Sequence, residues 1–148
     1  MRQIRIKHVE PGDKPMSLVV TWKNCARSTV DISPPIRTLK GLASLRAPAK
    51  FRKVRVGEWG WSVVWPGGID MSAATLARMA REQSGEAMPA ERFRAWRVRN
   101  KLSLSGAAAA LGLSRRMIAY YDSGEREIPK TVWLACLGWK KTAQRRAA

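Results

Sequence analysis

The chain has 148 residues, with 28 Lys and Arg against 11 Asp and Glu and a formal net charge of +17; such a balance calls for a polyanionic partner and suits DNA, RNA or anionic lipid about equally. It holds no apolar run near the roughly eighteen residues of a membrane helix and no charged-then-apolar leader, so a cytoplasmic location and no membrane partner are expected. Two distant cysteines, Cys25 and Cys136, and a single histidine, His8, argue against a disulfide framework or a metal site, and nothing calls for a cofactor.

The length allows one large or two small domains. Two are expected, residues 1–84 and 85–148, and both are basic, with 15 basic against 6 acidic side chains in the first and 13 against 5 in the second. In the first, Ile4, Ile6 and Val9 predict an opening strand, Leu18 to Trp22 a second and Thr29 to Ile32 a third, with Lys23 to Ser28 as a turn. That order makes a meander. Pro34 and Pro35 end the third strand, and Phe51 to Val56 with Trp61 to Trp65 predict a hairpin around Gly57 to Gly60. Pro66, Gly67 and Gly68 turn the chain into Asp70. Ser72 then caps a helix carrying Leu76, Met79 and Ala80, which stops near Gly85.

The segment from Leu18 to Leu76 resembles a small uncharacterised bacterial domain family. The likeness rests on Asp31 after a strand, Phe51 opening a hairpin, and a Trp-Pro-any-Gly-any-Asp signature at Trp65, Pro66, Gly68 and Asp70. It implies a fold and little function, although some relatives carry an appended helix-turn-helix and some stand beside toxin-like genes.

Several residues of this domain admit two readings. Trp59, Trp61 and Trp65 alternate along the expected strand pair, which favours core packing or a dimer seam, while a stacking platform for single-stranded bases is the alternative. Arg52, Lys53 and Arg55 read as a solvated strand face that can also touch phosphate. Asp31 and Asp70 read as turn caps, because no histidine, cysteine or metal pattern accompanies them for acid and base work. No catalytic residue is expected and the protein is not read as an enzyme.

In the second domain, Ser103 caps a helix running through Ala107 to Ala110, Gly112 ends it, and Ser114 caps another. Steps of about 100° along that helix place Arg115, Arg116, Ala119 and Tyr120 on one face and Met117, Ile118 and Tyr121 on the other. Two arginines in a first helical turn oppose the helix dipole, which prefers acids there, so an external anion is expected.

These residues resemble the helix-turn-helix family of phage Cro and repressor proteins, also called XRE-like, over roughly the last sixty residues. The likeness is carried by Leu102, Ala108, Gly112, Ser114 and Ile118, then by Asp122 and Gly124 closing the second helix and Pro129 opening a later one. It implies that Arg97 pairs with Asp122. Leu104 stands where the family often has a polar phosphate contact, leaving backbone N–H groups near Ser103 as the anion site, and Ala107 replaces a larger core leucine.

The fold class read from these patterns is α+β: a small antiparallel-sheet domain with one helix, followed by an all-α helix-turn-helix bundle. The expected function is a sequence-specific transcriptional regulator of double-stranded DNA, with recognition helix 114–122 in the major groove. Arg115 and Arg116 would read base edges, Ala119 and Tyr120 would add van der Waals contact or a phosphate bond, and Ser103, Ser114, Arg126 and Lys130 would fix the docking. Trp133, Leu134 and Leu137 read as the inner face of a last helix, with Trp139 completing that core or meeting a second subunit of a homodimer. Lys140, Lys141, Arg145 and Arg146 form a basic tail, expected to be mobile and to add nonspecific affinity. The alternative is an antitoxin-like interaction protein whose first domain grips a toxin-like partner and whose helix-turn-helix autoregulates.

Overall fold

Alternating apolar and β-branched side chains build the first sheet. In a computed structural model, which describes residues 4–147, β1 (Ile6–Pro11), β2 (Ser17–Trp22) and β3 (Arg27–Asp31) form an antiparallel meander in that spatial order. Leu18 faces Val30 and Val9 faces Val20 in the ladder. Leu18, Val20 and Val30 are buried together, as a period of two requires of one sheet face. Ile6 and Val9 are also buried although three residues apart, because a bulge between Ile6 and His8 shifts the alternation by one.

Asp31 ends β3 by accepting the Ser33 N–H at 2.8 Å. Hydrogen bonds from Ser33 hold its carboxyl below the usual aspartate value, with Arg37 and Lys14 adding smaller attractions. Pro34 and Pro35 do more than stop the strand: they occupy the first turn of α1 (Ser33–Thr38), where a missing N–H costs nothing. A 3-10 turn (Lys40–Arg46) and the short α2 (Pro48–Phe51) follow.

The expected strand from Phe51 to Val56 is corrected here. Pro48 nucleates α2, so Phe51 closes a helical turn, and only Arg55–Val56 extend as β4. Strand β5 (Ser62–Trp65) lies between β4 and a strand not foreseen, β6 (Ile69–Ser72), in an antiparallel sheet. Gly67 and Gly68, at φ 90° and 74°, supply the left-handed turn that sends β6 back along β5. Trp65 is buried and donates its indole N–H to the Phe51 carbonyl at 3.0 Å, with the two rings 6.1 Å apart. Ser72 Oγ accepts the Thr75 N–H at 3.1 Å and so caps α3 (Ala73–Gln83). At its far end the Gln83 amide accepts from Asp31 N at 2.8 Å and donates to Asp31 O at 2.7 Å.

Trp59 and Trp61 do not join Trp65 inside. The hairpin turns where expected, in a 3-10 turn (Glu58–Gly60), and because Trp59 lies within that turn the alternation does not run through it. Gly60, at φ 77°, lies so close to β1 that any Cβ would collide with the Ile6 carbonyl oxygen. Trp59 is held at φ 58° and is 77% exposed, and Trp61 is 43% exposed with the Arg5 guanidinium 4.4 Å from its ring centroid.

The chain forms two compact units, Met1–Gln83 and Ser84–Ala148, and the architecture is α+β. In the second unit β7 (Ala87–Met88) pairs with β8 (Ile128–Pro129), and α4 (Ala90–Arg99), α5 (Leu104–Leu111), α6 (Arg115–Ser123) and α7 (Lys130–Ala147) surround one core. Phe93, Trp96, Ile118, Tyr121 and Cys136 fill it, and Ala107 and Ala108 let α5 approach closely. Burial pushes the Cys136 thiol up to about 12.

On the inner face of α7, Trp133 and Trp139 pack as expected and Leu134 and Leu137 are corrected. Val132, Trp133, Cys136 and Trp139 turn toward the core, whereas Leu134 and Leu137 are 56% and 59% exposed. A spacing of three and four residues fits either stripe, and Trp96 decides between them, its indole N–H bonding the Cys136 carbonyl at 3.1 Å and its ring meeting Trp139 edge-on at 5.7 Å. The side chains of Lys140, Lys141, Arg145 and Arg146 lie outside the described residues. Among those described, no helix is long and apolar enough to cross a membrane.

Gly60→Ala is expected to destabilise the first unit by about 2 kcal/mol or more, since a side chain there meets both an unfavourable φ and the Ile6 backbone. Urea unfolding of the variant checks this, and an unchanged midpoint contradicts the close approach.

Candidate nucleic-acid interface

Two serine caps and two left-handed glycines set the ends of α5 and α6. Ser103 Oγ accepts the Gly106 N–H at 2.9 Å, and Ser114 Oγ accepts the Met117 N–H at 3.1 Å. Gly112 ends α5 at φ 70°, with Leu113 N–H returning to the Ala108 carbonyl at 3.0 Å, and Gly124 ends α6 at φ 81°. Both caps are thus spent on their own helices.

Helix α6 separates its faces. Ile118 and Tyr121 are buried, and Tyr121 meets Phe93 edge-on at 6.0 Å. Ser114, Arg115 and Arg116 are exposed, while Ala119 and Tyr120 are half-buried beside them. Arg126 and Lys130 are exposed beyond the end of the helix.

These outward residues touch one another in a way the sequence did not foretell. Arg116 Nε donates to the Tyr120 hydroxyl at 2.9 Å, and the Arg126 guanidinium lies 4.6 Å from the centroid of the same ring. Arg116 stands 5.7 Å from that ring. The phenol therefore gathers two cations into one cluster through hydrogen bonding and ring-face attraction. Because the bond uses Nε, it leaves the Nη1–Nη2 edge of Arg116 unengaged by Tyr120. The cluster comprises Arg116, Tyr120 and Arg126, and Ser103, Ser114, Arg115, Ala119 and Lys130 are not part of it.

The far end of α6 is tied to α4. Arg97 donates from Nε to Asp122 Oδ1 at 2.7 Å and from Nη2 to Oδ2 at 3.2 Å, and its Nη1 reaches the Leu102 carbonyl at 3.1 Å. The pair is largely shielded, with side-chain exposures of 19% and 20%. Arg94, overlooked in the sequence, donates to the Asp122 carbonyl at 2.9 Å. The signal was available: Arg94 and Arg97 are three residues apart and share a helix face.

The first unit offers a different surface. A cleft of about 950 Å³ is lined by Glu10, Asp13 and Asp31 as well as Lys14, Arg27 and Arg37. Its mixed signs make no uniformly positive wall for a polyanion.

A family described as "Protein of unknown function (DUF2442)" matches residues 6–82. The chain belongs to that family. It is also similar to a solved structure, the crystal structure of "Putative DNA Binding Protein NE0471" from Nitrosomonas europaea ATCC 19718, at 38% identity over 93% of this chain and 87% of that one, with a TM-score of 0.55. That likeness spans most of both units, whereas the DUF2442 match lies in the first. No curated protein matches the sequence.

Asp122→Ala is expected to destabilise the second unit by about 1–3 kcal/mol, because it leaves the shielded Arg97 guanidinium without its carboxylate. A double-mutant cycle with Arg97→Ala, read by chemical denaturation, should give a clearly favourable coupling; purely additive losses would refute the tether.

Proposed function

We propose that this protein is a sequence-specific transcriptional regulator that binds double-stranded DNA through α5 and α6, in the manner of the helix-turn-helix proteins it resembles. The observation that carries the reading is the outward face of α6, where Arg115, Arg116 and Tyr120 stand on a helix whose other face is locked into a core and Arg126, just beyond its end, folds back onto the Tyr120 ring. A helix of this kind fits a major groove about 12 Å wide. The description of the Nitrosomonas europaea protein supports DNA as the partner.

In this mechanism Arg115 and Arg116 read base edges, with Arg116 offering Nη1 and Nη2 to guanine O6 and N7. Tyr120 sets the angle of Arg116 and adds contact to a base or phosphate, and half-buried Ala119 lets the helix approach closely. Arg126 and Lys130 neutralise flanking phosphates. Ser103 and Ser114 act through the helix ends they cap, presenting the remaining backbone N–H groups to phosphate. Asp122 with Arg97 and Arg94 is structural. The reading assigns no catalytic step, no cofactor and a cytoplasmic place of action.

A symmetric dimer completes the reading, since one short helix reads few base pairs and two half-sites about 34 Å apart multiply the information. Leu134 and Leu137 on the outer face of α7 are the best support, because the stretch from Thr131 to Trp139 has no charged residue in a strongly basic chain. Such a face can meet its own copy without like-charge repulsion.

Arg116→Ala should cut the preference for operator over random duplex by about 1–3 kcal/mol, measured by competition binding against fragments selected from a random pool. Equal loss on both DNAs would assign Arg116 to phosphate and reject base reading. Sedimentation at micromolar concentration without DNA should show a dimer that Leu134→Glu with Leu137→Glu converts to monomer. A wild-type monomer counts against the symmetric arrangement.

A further inference from the structure

The first unit displays two indoles that its core does not use. Trp59 is 77% exposed and sits at φ 58°, a left-handed conformation disfavoured for a bulky side chain. Gly60 next to it is pinned against the Ile6 backbone, so the tip that presents the ring is held in place rather than free to fold inward. Trp61 follows, 43% exposed, with the Arg5 guanidinium 4.4 Å from its ring centroid. A strained backbone that projects an uncovered tryptophan is a site where local stability is set aside for contact with something else.

The surrounding charge narrows what that partner is. Beside Arg5, Lys23 donates its backbone N–H to the Arg5 carbonyl at 3.0 Å and Lys7 follows two residues on, both with exposed side chains, while the tip itself carries one acid, Glu58. Two exposed indoles alone would suit many apolar surfaces, but with a stacked guanidinium and neighbouring lysines they favour a partner that alternates flat rings with negative charge. Unpaired nucleic acid has that alternation, and every base offers a ring face whatever the sequence. A duplex keeps those faces stacked inside.

We propose that Trp59, Trp61 and Arg5 form a stacking platform for unpaired bases of single-stranded nucleic acid. The platform lies in the first unit and stands on observations independent of α6, so its fate and that of duplex reading are separable.

The test uses the full chain and a fluorescently labelled oligothymidylate of about 12 nucleotides, within the usual site size of such binders. Fluorescence anisotropy gives its affinity, with a selected duplex measured in parallel. Trp59→Gly and Trp61→Ala are each expected to weaken single-strand binding about tenfold while leaving duplex affinity unchanged. Glycine accepts a positive φ without strain, so Trp59→Gly retains the fold, which circular dichroism verifies. Inorganic polyphosphate at equal charge should compete poorly. Single-strand binding that is indifferent to both substitutions, or equal displacement by polyphosphate, would overturn the platform and leave an apolar protein surface as the occupant of the indoles.

Discussion

Asp122 joins the end of α6 to α4 through both oxygens of its carboxylate and through its carbonyl, which receive Arg97 and Arg94. The outward face of α6 is only as well defined as this anchorage and the burial of Ile118 and Tyr121 beneath it. A shielded carboxylate that meets a guanidinium fork edge to edge fixes rotation about the helix axis as well as position. Arg116 and Tyr120 then inherit a fixed direction from residues on the opposite side of the helix. The serine caps and the left-handed glycines do the same for the helix ends.

The electrostatics of that face run against the helix that carries it. Arg115 and Arg116 occupy the first turn, where the dipole favours acids, and no acidic residue stands there to compensate. Drawing Arg116 and Arg126 onto one phenol crowds cations further. A bound anion relieves both costs at once. Such a surface is poised for phosphate and base acceptors in the proposed complex, and its affinity will fall as salt rises.

The second unit was more legible in the sequence than the first. Ser103, Gly112, Ser114 and Gly124 are local signals whose meaning depends on their own backbone, and each helix boundary follows from them. The Arg97–Asp122 pairing came from resemblance, and the bonds reproduce it. The place of Leu134 and Leu137 is not decided by the sequence, because Leu134–Leu137 and Cys136–Trp139 carry equally good helical spacing and only the position of Trp96 on another element selects one. In the first unit the strands with strict alternation were readable. The region from Phe51 to Trp61 was so only in part: Pro48 is a local mark of the helical turn that takes up Phe51, whereas the tip is set by how closely Gly60 approaches Ile6, a long-range contact with no local mark. Ile69–Ser72 was hidden likewise, since four residues leading straight into a helix give too little alternation to read as a strand.

The bidentate grip of Gln83 on Asp31 bears on solubility. Strand β3 is the outer strand of its sheet, and an open edge invites a strand from a neighbouring molecule. At Asp31 the glutamine amide already fills both backbone positions, imitating the partner that would otherwise arrive. The last side chain of α3 thereby closes that one register position of the edge to an incoming strand.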